Sequence, residues 1–155
     1  MKKTKLISLF LAFFAALSCF TGCAGANKGM DTEKLSQALD EGQVFADSLV
    51  RHEKTVVLEL FGLDKNDVSA CVFSCSAYAG VEEYAVFEAA DDEAAGRIAD
   101  AVYLRLKWQK ISCGDYRPEQ LQKLNAAIVR QSGVYVVYVC ARDAAGAERI
   151  INRYI

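Results

Sequence analysis

The sequence predicts an α+β domain with a four-stranded, mostly antiparallel sheet, made of two hairpins, and with helices packed on one face. Two observations lead to this prediction. Two pairs of segments alternate apolar with smaller or polar residues, as strands do, and a short turn separates the members of each pair. Before, between and after these pairs, apolar residues recur at helical spacing. The predicted order is therefore α-α-β-β-α-α-β-β-α.

Two predicted helices precede the sheet. Asp31 is a suitable N-cap for the first, which ends at Gly42. The second covers residues 53–61, and Gly62 ends it. The residues that we expect to face the core are Leu35, Ala38, Leu39, Val57, Leu60 and Phe61.

The strands form two predicted hairpins. The first joins residues 68–77 to residues 81–89, and the second joins residues 126–131 to residues 134–141. The stretch from Val134 to Val139 is rich in valine and tyrosine, which favour strands, and it is the strongest strand pattern in the chain.

Three further helices are predicted around the second hairpin. Asp91-Asp92 begins a long helix, and Asp143 begins the last one. Between them, Asp115-Tyr116-Arg117-Pro118 begins a shorter helix, with the chain's single proline in the first turn, where its missing N–H is not needed. The long helix carries an inward stripe of Ala95, Ile98, Ala99, Val102 and Leu106.

The N-terminal residues have the pattern of a secretory signal peptide. Lys2, Lys3 and Lys5 precede an apolar run from Leu6 to Phe20. This run of about 15 residues is shorter than the roughly 20 that a spanning helix needs. The sequence therefore predicts a signal peptide over residues 1–22, and an uncleaved membrane anchor is the alternative.

The residues after the apolar run indicate a lipid anchor. Phe20-Thr21-Gly22-Cys23 resembles the lipobox of bacterial lipoproteins, in which small residues precede a cysteine that becomes acylated. Cys23 is the predicted attachment site, with Cys19 as a rival, and residues 23–30 form the tether of a single domain over residues 31–155. We expect stable anchoring on the extracytoplasmic face of the cell membrane. The alternative is cleavage near Ala24–Ala26, which would release a secreted protein.

The charge balance limits the class of partner. The chain has 18 Lys and Arg against 20 Asp and Glu. Three lysines leave with the signal peptide, so the mature chain has 15 against 20, or a net charge of −5. A mildly acidic domain without a basic cluster argues against nucleic acid and anionic lipid headgroups as partners.

Four cysteines remain in the predicted mature domain. Cys71 and Cys75 fall on one predicted strand, about 13 Å apart at the usual rise per residue, which is too far for a disulfide. A disulfide would therefore join this strand to Cys113 or Cys140. The alternative is that all four are small buried apolar residues.

Three segments resemble a known family. These are Glu82-Glu83-Tyr84-Ala85-Val86-Phe87, Asp115-Tyr116-Arg117-Pro118-Glu119 and Gly133-Val134-Tyr135-Val136-Val137. In this order and spacing, they resemble short lipoproteins of Gram-positive anaerobes that are known only as a domain of unknown function (DUF 4358-like). The resemblance covers roughly residues 49–155. It supports a lipoprotein and implies no activity, cofactor or catalytic residue.

No catalytic residue, cofactor site or metal ligand is predicted. The single histidine, His52, lies in a polar stretch typical of a surface. Cys71 and Cys75 lack the turn and the second ligand pair of a zinc site. Glu82-Glu83 and Asp91-Asp92 suggest hydrolysis of cell-wall sugars, but adjacent residues of a strand point to opposite faces. Solvated edge charge and helix capping explain both acidic pairs better than catalysis does.

The tyrosines suggest one binding hypothesis. Tyr84, Tyr116, Tyr135 and Tyr138 lie near the predicted hairpins and are hypothesised to line a groove for a peptide or glycan. The sequence thus favours a non-enzymatic binding module with an envelope protein or the cell wall as partner. An envelope enzyme that uses carboxylates is the alternative, and a thiol redox protein is a third hypothesis.

Overall fold

The computed structural model describes residues 29–155, so the predicted signal peptide, Cys19 and Cys23 lie outside the described residues. The helices are α1 (Thr32–Glu41), α2 (Lys54–Phe61), α3 (Asp92–Tyr116), a short 3-10 helix (Pro118–Gln120), α4 (Leu121–Asn125) and α5 (Ala144–Ile151). The strands are β1 (Leu49–Arg51), β2 (Val68–Ser76), β3 (Glu83–Ala89), β4 (Ile128–Ser132) and β5 (Tyr135–Cys140).

The described strands form one antiparallel sheet of five strands in the order β1-β2-β3-β5-β4. The α+β class and both hairpins are confirmed, whereas the prediction of four strands is wrong. The additional strand, β1, places Val50 opposite Cys75 at the sheet edge. Three residues are too few to show an alternating pattern, so this strand depends on its pairing with β2.

Helices cover both faces of the sheet, so the prediction of a single covered face is wrong. On one face, α1 and α5 pack on Val72, Tyr84 and Val137. On the other, α2, α3 and α4 pack on a second set of strand residues, namely Phe73, Phe87, Val136 and Tyr138. The central strands β3 and β5 are apolar on both sides, and a strand without a polar side is buried on both faces.

The ends of the helices follow their capping residues. Asp31 accepts hydrogen bonds from the backbone N–H groups of Glu33 and Lys34 at the start of α1. Gly62 ends α2 in the left-handed conformation, with φ of 65°. Leu60 corrects the prediction for α2, because it is 43% exposed instead of facing the core.

Helix α3 is longer than its inward stripe suggested. It runs for 25 residues and ends only at Tyr116, so Asp115 and Tyr116, which were expected to begin a new helix, still belong to it. Pro118 then occupies the first turn of the 3-10 helix that leads into α4. The helix therefore continues for ten residues beyond Leu106, the last residue of its inward stripe.

The open edge of β2 is occupied by a side chain. Strand β1 pairs only with the last three residues of β2, and an irregularity lies between Val68 and Ala70. The ammonium of Lys54, at the start of α2, donates hydrogen bonds to the carbonyl oxygens of Val68 (2.5 Å) and Ser69 (3.2 Å). Lys54 thus satisfies backbone acceptors that β1 leaves unpaired.

Candidate functional site

The four tyrosines of the predicted groove do not come together, so that hypothesis is wrong. Tyr84 and Tyr138 are fully buried on opposite faces of the sheet. Tyr116 is 84% exposed at the end of α3. Tyr135 lies at the other end of the sheet, beside Gly29. Alternation separates Tyr84 from Tyr138, because Tyr84 lies opposite Val139 and neighbouring strand residues point to opposite faces.

The hydroxyl of Tyr84 is the centre of a buried polar network. It lies 2.8 Å from the Ser36 hydroxyl and accepts a hydrogen bond from Ser74 at 3.3 Å. It also donates to the carboxylate of Asp40 at 3.1 Å. Burial raises the pKa of Asp40, and the hydrogen bond from Tyr84 opposes this. The network connects the interior to a surface cleft that Asp40 lines.

This cleft has a volume of about 390 Å³. Its wall includes Phe45, which stacks on Tyr84 with ring centroids 5.7 Å apart. Gln43 has a φ of 53°, and it is the one described residue other than glycine with a positive φ. Such strain is often found at functional sites. The lining residues are Asp40, Gln43, Phe45, Asp47, Ser48, Leu49, Arg51 and Ser74.

Glu82 is a fully buried carboxylate at the start of the central strands. The ammonium of Lys123 lies 2.8 Å from its Oε1, and its Oε2 accepts hydrogen bonds from the backbone N–H groups of Ala46 (2.6 Å) and Asp47 (2.9 Å). Burial would raise the pKa of Glu82, but Lys123 and the two N–H donors outweigh burial and hold it below its usual value. Glu82 therefore remains ionised and structural at neutral pH.

The neighbouring Glu83 is also paired. Arg105 of α3 donates two hydrogen bonds to its carboxylate, at 2.8 and 2.6 Å. The guanidinium of Arg105 also lies over the rings of Phe61 (5.1 Å) and Phe73 (5.6 Å). Glu82 and Glu83 thus engage separate cations. At the opposite end of β3, Asp91 caps α3. The two acidic pairs predicted from the sequence do not form an acid and base couple.

The structure brings together one pair that sequence spacing did not predict. The Sγ of Cys75 lies 3.2 Å from Nε2 of His52, because β1 leads His52 alongside β2. Burial raises the pKa of the Cys75 thiol, Glu83 raises it further, and Arg105 lowers it. A thiol with a raised pKa is a poor nucleophile at neutral pH. The arrangement therefore favours a neutral contact.

An exposed apolar surface spans α2 and α3, and we call it the apolar strip. Three of its residues recur at i, i+4 and i+7 on α3, so they share one side of that helix. The α2 residues lie alongside, since Leu60 and Trp108 line the same cleft. These side chains are 43–59% exposed, and the strip consists of Val56, Leu60, Leu104, Trp108 and Ile111.

The described residues were searched for metal-binding clusters and for membrane-spanning helices. Over residues 29–155, no three His, Cys, Asp or Glu side chains are placed to hold a metal ion. Within the same range, none of the helices has both the length and the apolar character that crossing a bilayer requires.

The chain was compared with protein families, curated proteins and solved structures, and it matches one family. No curated protein and no solved structure is significantly similar to the chain. Residues 47–141, from β1 to the end of β5, match a family described as a domain of unknown function (DUF4358). Because this match covers more than half of the 155 residues, the chain belongs to the DUF4358 family.

Proposed function

We propose that the chain is an exported lipoprotein, anchored through Cys23 on the extracytoplasmic face of the cell membrane, and that its domain is a non-enzymatic binding module. The proposal for the anchor comes from the basic and apolar N-terminal residues followed by Thr21-Gly22-Cys23. The proposal for the module comes from the domain itself.

The apolar strip is the observation that carries this function. Scattered apolar residues are normal on a protein surface, whereas a contiguous group is typical of an interaction surface. Trp108 is 59% exposed in the strip, and tryptophan is enriched among residues that dominate binding. The strip involves α2 and α3, which both rest on a well-packed core.

The buried acids support a binding role over carboxylate catalysis. Glu82 is held by Lys123, and Glu83 is held by Arg105, so each carboxylate already has a cationic partner. The pKa of Cys75 is raised, which also disfavours thiol chemistry at neutral pH. The two carboxylates that could act as acid or base are therefore engaged in stabilising the fold.

A second candidate function is the binding of a small polar ligand in the cleft beside Tyr84. The raised pKa of Asp40 and the strained backbone of Gln43 favour it. Because Asp40, Asp47 and Ser48 present oxygen acceptors, the ligand would carry hydrogen-bond donors. Changes in the NMR shifts of residues 40–49 on addition of amines and amino sugars would identify it, and unchanged shifts throughout would contradict it.

The anchor is tested by metabolic labelling with a clickable palmitate analogue. We expect the protein to be labelled and to stay in the membrane fraction. Cys23→Ala should lose the label, whereas the matched variant Cys19→Ala should keep it. Equal labelling of both variants, or none in the unchanged protein, would contradict the lipid anchor.

The binding surface is tested by crosslinking in intact membranes. A photoreactive amino acid replaces Leu104 in the apolar strip, and in the control it replaces Arg153, which is exposed near α5 on the other helical layer. We expect a discrete crosslinked product, with lipid or with protein, from position 104 alone. Absence of an adduct at 104, or the same adducts from both positions, would count against the strip as the binding surface.

A further inference from the structure

The apolar strip lies within a locally basic part of the domain. Residues 103–117 contain four basic residues (Arg105, Lys107, Lys110 and Arg117) and one acidic residue (Asp115), so this segment has a net charge of +3. The predicted mature chain, by contrast, has a net charge of −5. The overall charge therefore conceals a basic region in the second half of α3.

Three of these cations have no ion-pair partner among the described side chains, and one of them, Lys107, is exposed whereas Lys110 and Arg117 are half-buried. Arg105 is paired with Glu83, but Lys107, Lys110 and Arg117 make no ion pair with the side chains that the structure describes. Lys107 is adjacent to Trp108 and Lys110 to Ile111 along the helix, and Lys107 is exposed. Three acidic residues lie near the strip along the chain, namely Glu59 next to Leu60, Asp100 one turn before Leu104 and Asp115 four residues after Ile111.

The point where the described chain begins brings α3 near the proposed anchor. Gly29 lines the same cleft as Asp92, the first residue of α3. Gly29 is the sixth residue after Cys23, which allows a reach of at most about 21 Å. Trp108 lies sixteen residues along α3 from Asp92, or about 24 Å along the helix axis. The tether therefore limits the distance between the bilayer and the start of α3, and Trp108 also reaches the bilayer when α3 lies along the membrane surface.

We propose that the apolar strip docks on an anionic bilayer, with α3 lying along the membrane surface. In this arrangement Leu104, Trp108 and Ile111 enter the headgroup region. Lys107, Lys110 and Arg117 contact lipid phosphates. Exposed tryptophan and leucine next to lysine is the composition of helices that lie in a membrane interface. The inference deepens the proposed function and rests on its lipid anchor.

The lysines also distinguish this occupant from a second copy of the chain. A symmetric dimer through the apolar strip uses the same patch on both molecules. The cations of this patch, Lys107 and Lys110 among them, would then lie close to those of the partner, and like charges oppose association. An anionic lipid surface attracts the same side chains. Each lysine is expected to increase the affinity for such a surface by roughly tenfold or less.

Trp108 is the chain's single tryptophan, so its fluorescence reports directly on the strip. The lipoprotein, purified from membranes, is reconstituted in vesicles of phosphatidylglycerol or of phosphatidylcholine. In phosphatidylglycerol we expect emission at shorter wavelength, protection from acrylamide and quenching by brominated lipid. In phosphatidylcholine each effect should be weaker.

Charge variants make the test specific. Lys107→Gln/Lys110→Gln should weaken docking on phosphatidylglycerol roughly tenfold or more, as measured from the quenched fraction. The control Lys34→Gln/Arg153→Gln makes the same change of charge on the other helical layer and should have no effect. Unchanged thermal unfolding of both double variants would show that they are folded.

Two outcomes would overturn the inference. Trp108 that remains equally accessible to acrylamide in both kinds of vesicle would exclude docking on lipid. Trp108 that becomes shielded only when solubilised membrane proteins are added would replace the bilayer by a protein and leave the proposed binding module standing. Failure of the anchor itself would be recognised separately, by the absence of the acyl mass on the purified protein.

Discussion

At the scale of single residues, the Tyr84 hydroxyl stabilises the layer formed by α1. Tyr84→Phe leaves the Ser36 and Ser74 hydroxyls, both buried, without this partner. We expect a loss of about 1–3 kcal/mol in the free energy of unfolding, measured by urea denaturation. The matched variant Tyr116→Phe, at an exposed position, should change it by no more than about 0.5 kcal/mol. Equal effects would contradict the network.

The Arg105–Glu83 pair should matter far more than an exposed pair of similar geometry. Arg105→Met leaves the carboxylate of Glu83 buried without its cation, and such losses cost about 3–5 kcal/mol. Arg51→Met breaks an exposed pair with Glu33, for which we expect about 1 kcal/mol or less. Denaturation of both variants under the same conditions checks the difference, and a comparable loss in each would refute it.

Local residue roles were predictable where they depend on near neighbours. Asp31 and Gly62 were identified because a cap acts within a few residues of itself. The partners of Tyr84 were not predictable, since Ser36 lies 48 residues away in sequence. The same holds for His52 and Cys75, which come together only through the pairing of β1 with β2.

At the scale of elements, substitution of two glycines by alanine should change the stability of the protein in opposite directions. Gly62 has a left-handed φ that alanine adopts poorly, so Gly62→Ala should destabilise the protein by about 1 kcal/mol. Gly96 lies inside α3, where an added methyl group meets no neighbour within 4 Å. Gly96→Ala should therefore stabilise by up to about 1 kcal/mol. Thermal unfolding measures both, and a shift in the same direction would be inconsistent with these conformations.

The elements themselves were predicted to within a few residues where a periodic pattern was long enough. The errors have physical causes. Strand β1 has only three residues, and its stability comes from Cys75 and Ser76 on β2. Leu60 was assigned to the core because it is apolar, but the outer side of α2 carries part of the strip. The strip was missed because exposure depends on which neighbours cover a helix.

At the scale of the whole molecule, Glu82 connects the two helical layers. Glu82 immediately precedes β3. Its carboxylate accepts hydrogen bonds from the segment after α1 and pairs with Lys123 of α4. Its pKa is lowered in the folded protein, so the stability it contributes is present above its ordinary pKa of 4.5. This contribution should be lost as the pH falls below 4.5 and through the lower folded value.

The measurement is the free energy of unfolding between pH 3 and pH 7. Glu82→Gln should flatten the acid side of this profile and lower stability at pH 7, because Lys123 loses its partner. Glu59→Gln, an exposed position on α2, serves as the control and should retain the original profile. An unchanged acid slope in Glu82→Gln would show that other groups dominate.

The overall class followed from the sequence, whereas the number of layers did not. Each central strand was recognised, but the apolar residues on both sides of β3 and β5 were interpreted as one covered face. Likewise, the net charge of −5 of the predicted mature chain indicated nothing about where Lys107 and Lys110 lie. Sums over a chain carry no information about position, and the candidate surface is a matter of position.

The side chain of Lys54 has a consequence for crowding. A lipid anchor would confine many copies of the chain to two dimensions, where edge strands meet at high local concentration. The ammonium of Lys54 already donates hydrogen bonds to the carbonyl oxygens of Val68 and Ser69 on the open side of β2. A strand from a neighbouring molecule would have to displace a charged group to add there. In dense arrays on a membrane, Lys54 would thereby hinder the addition of a strand along this part of β2.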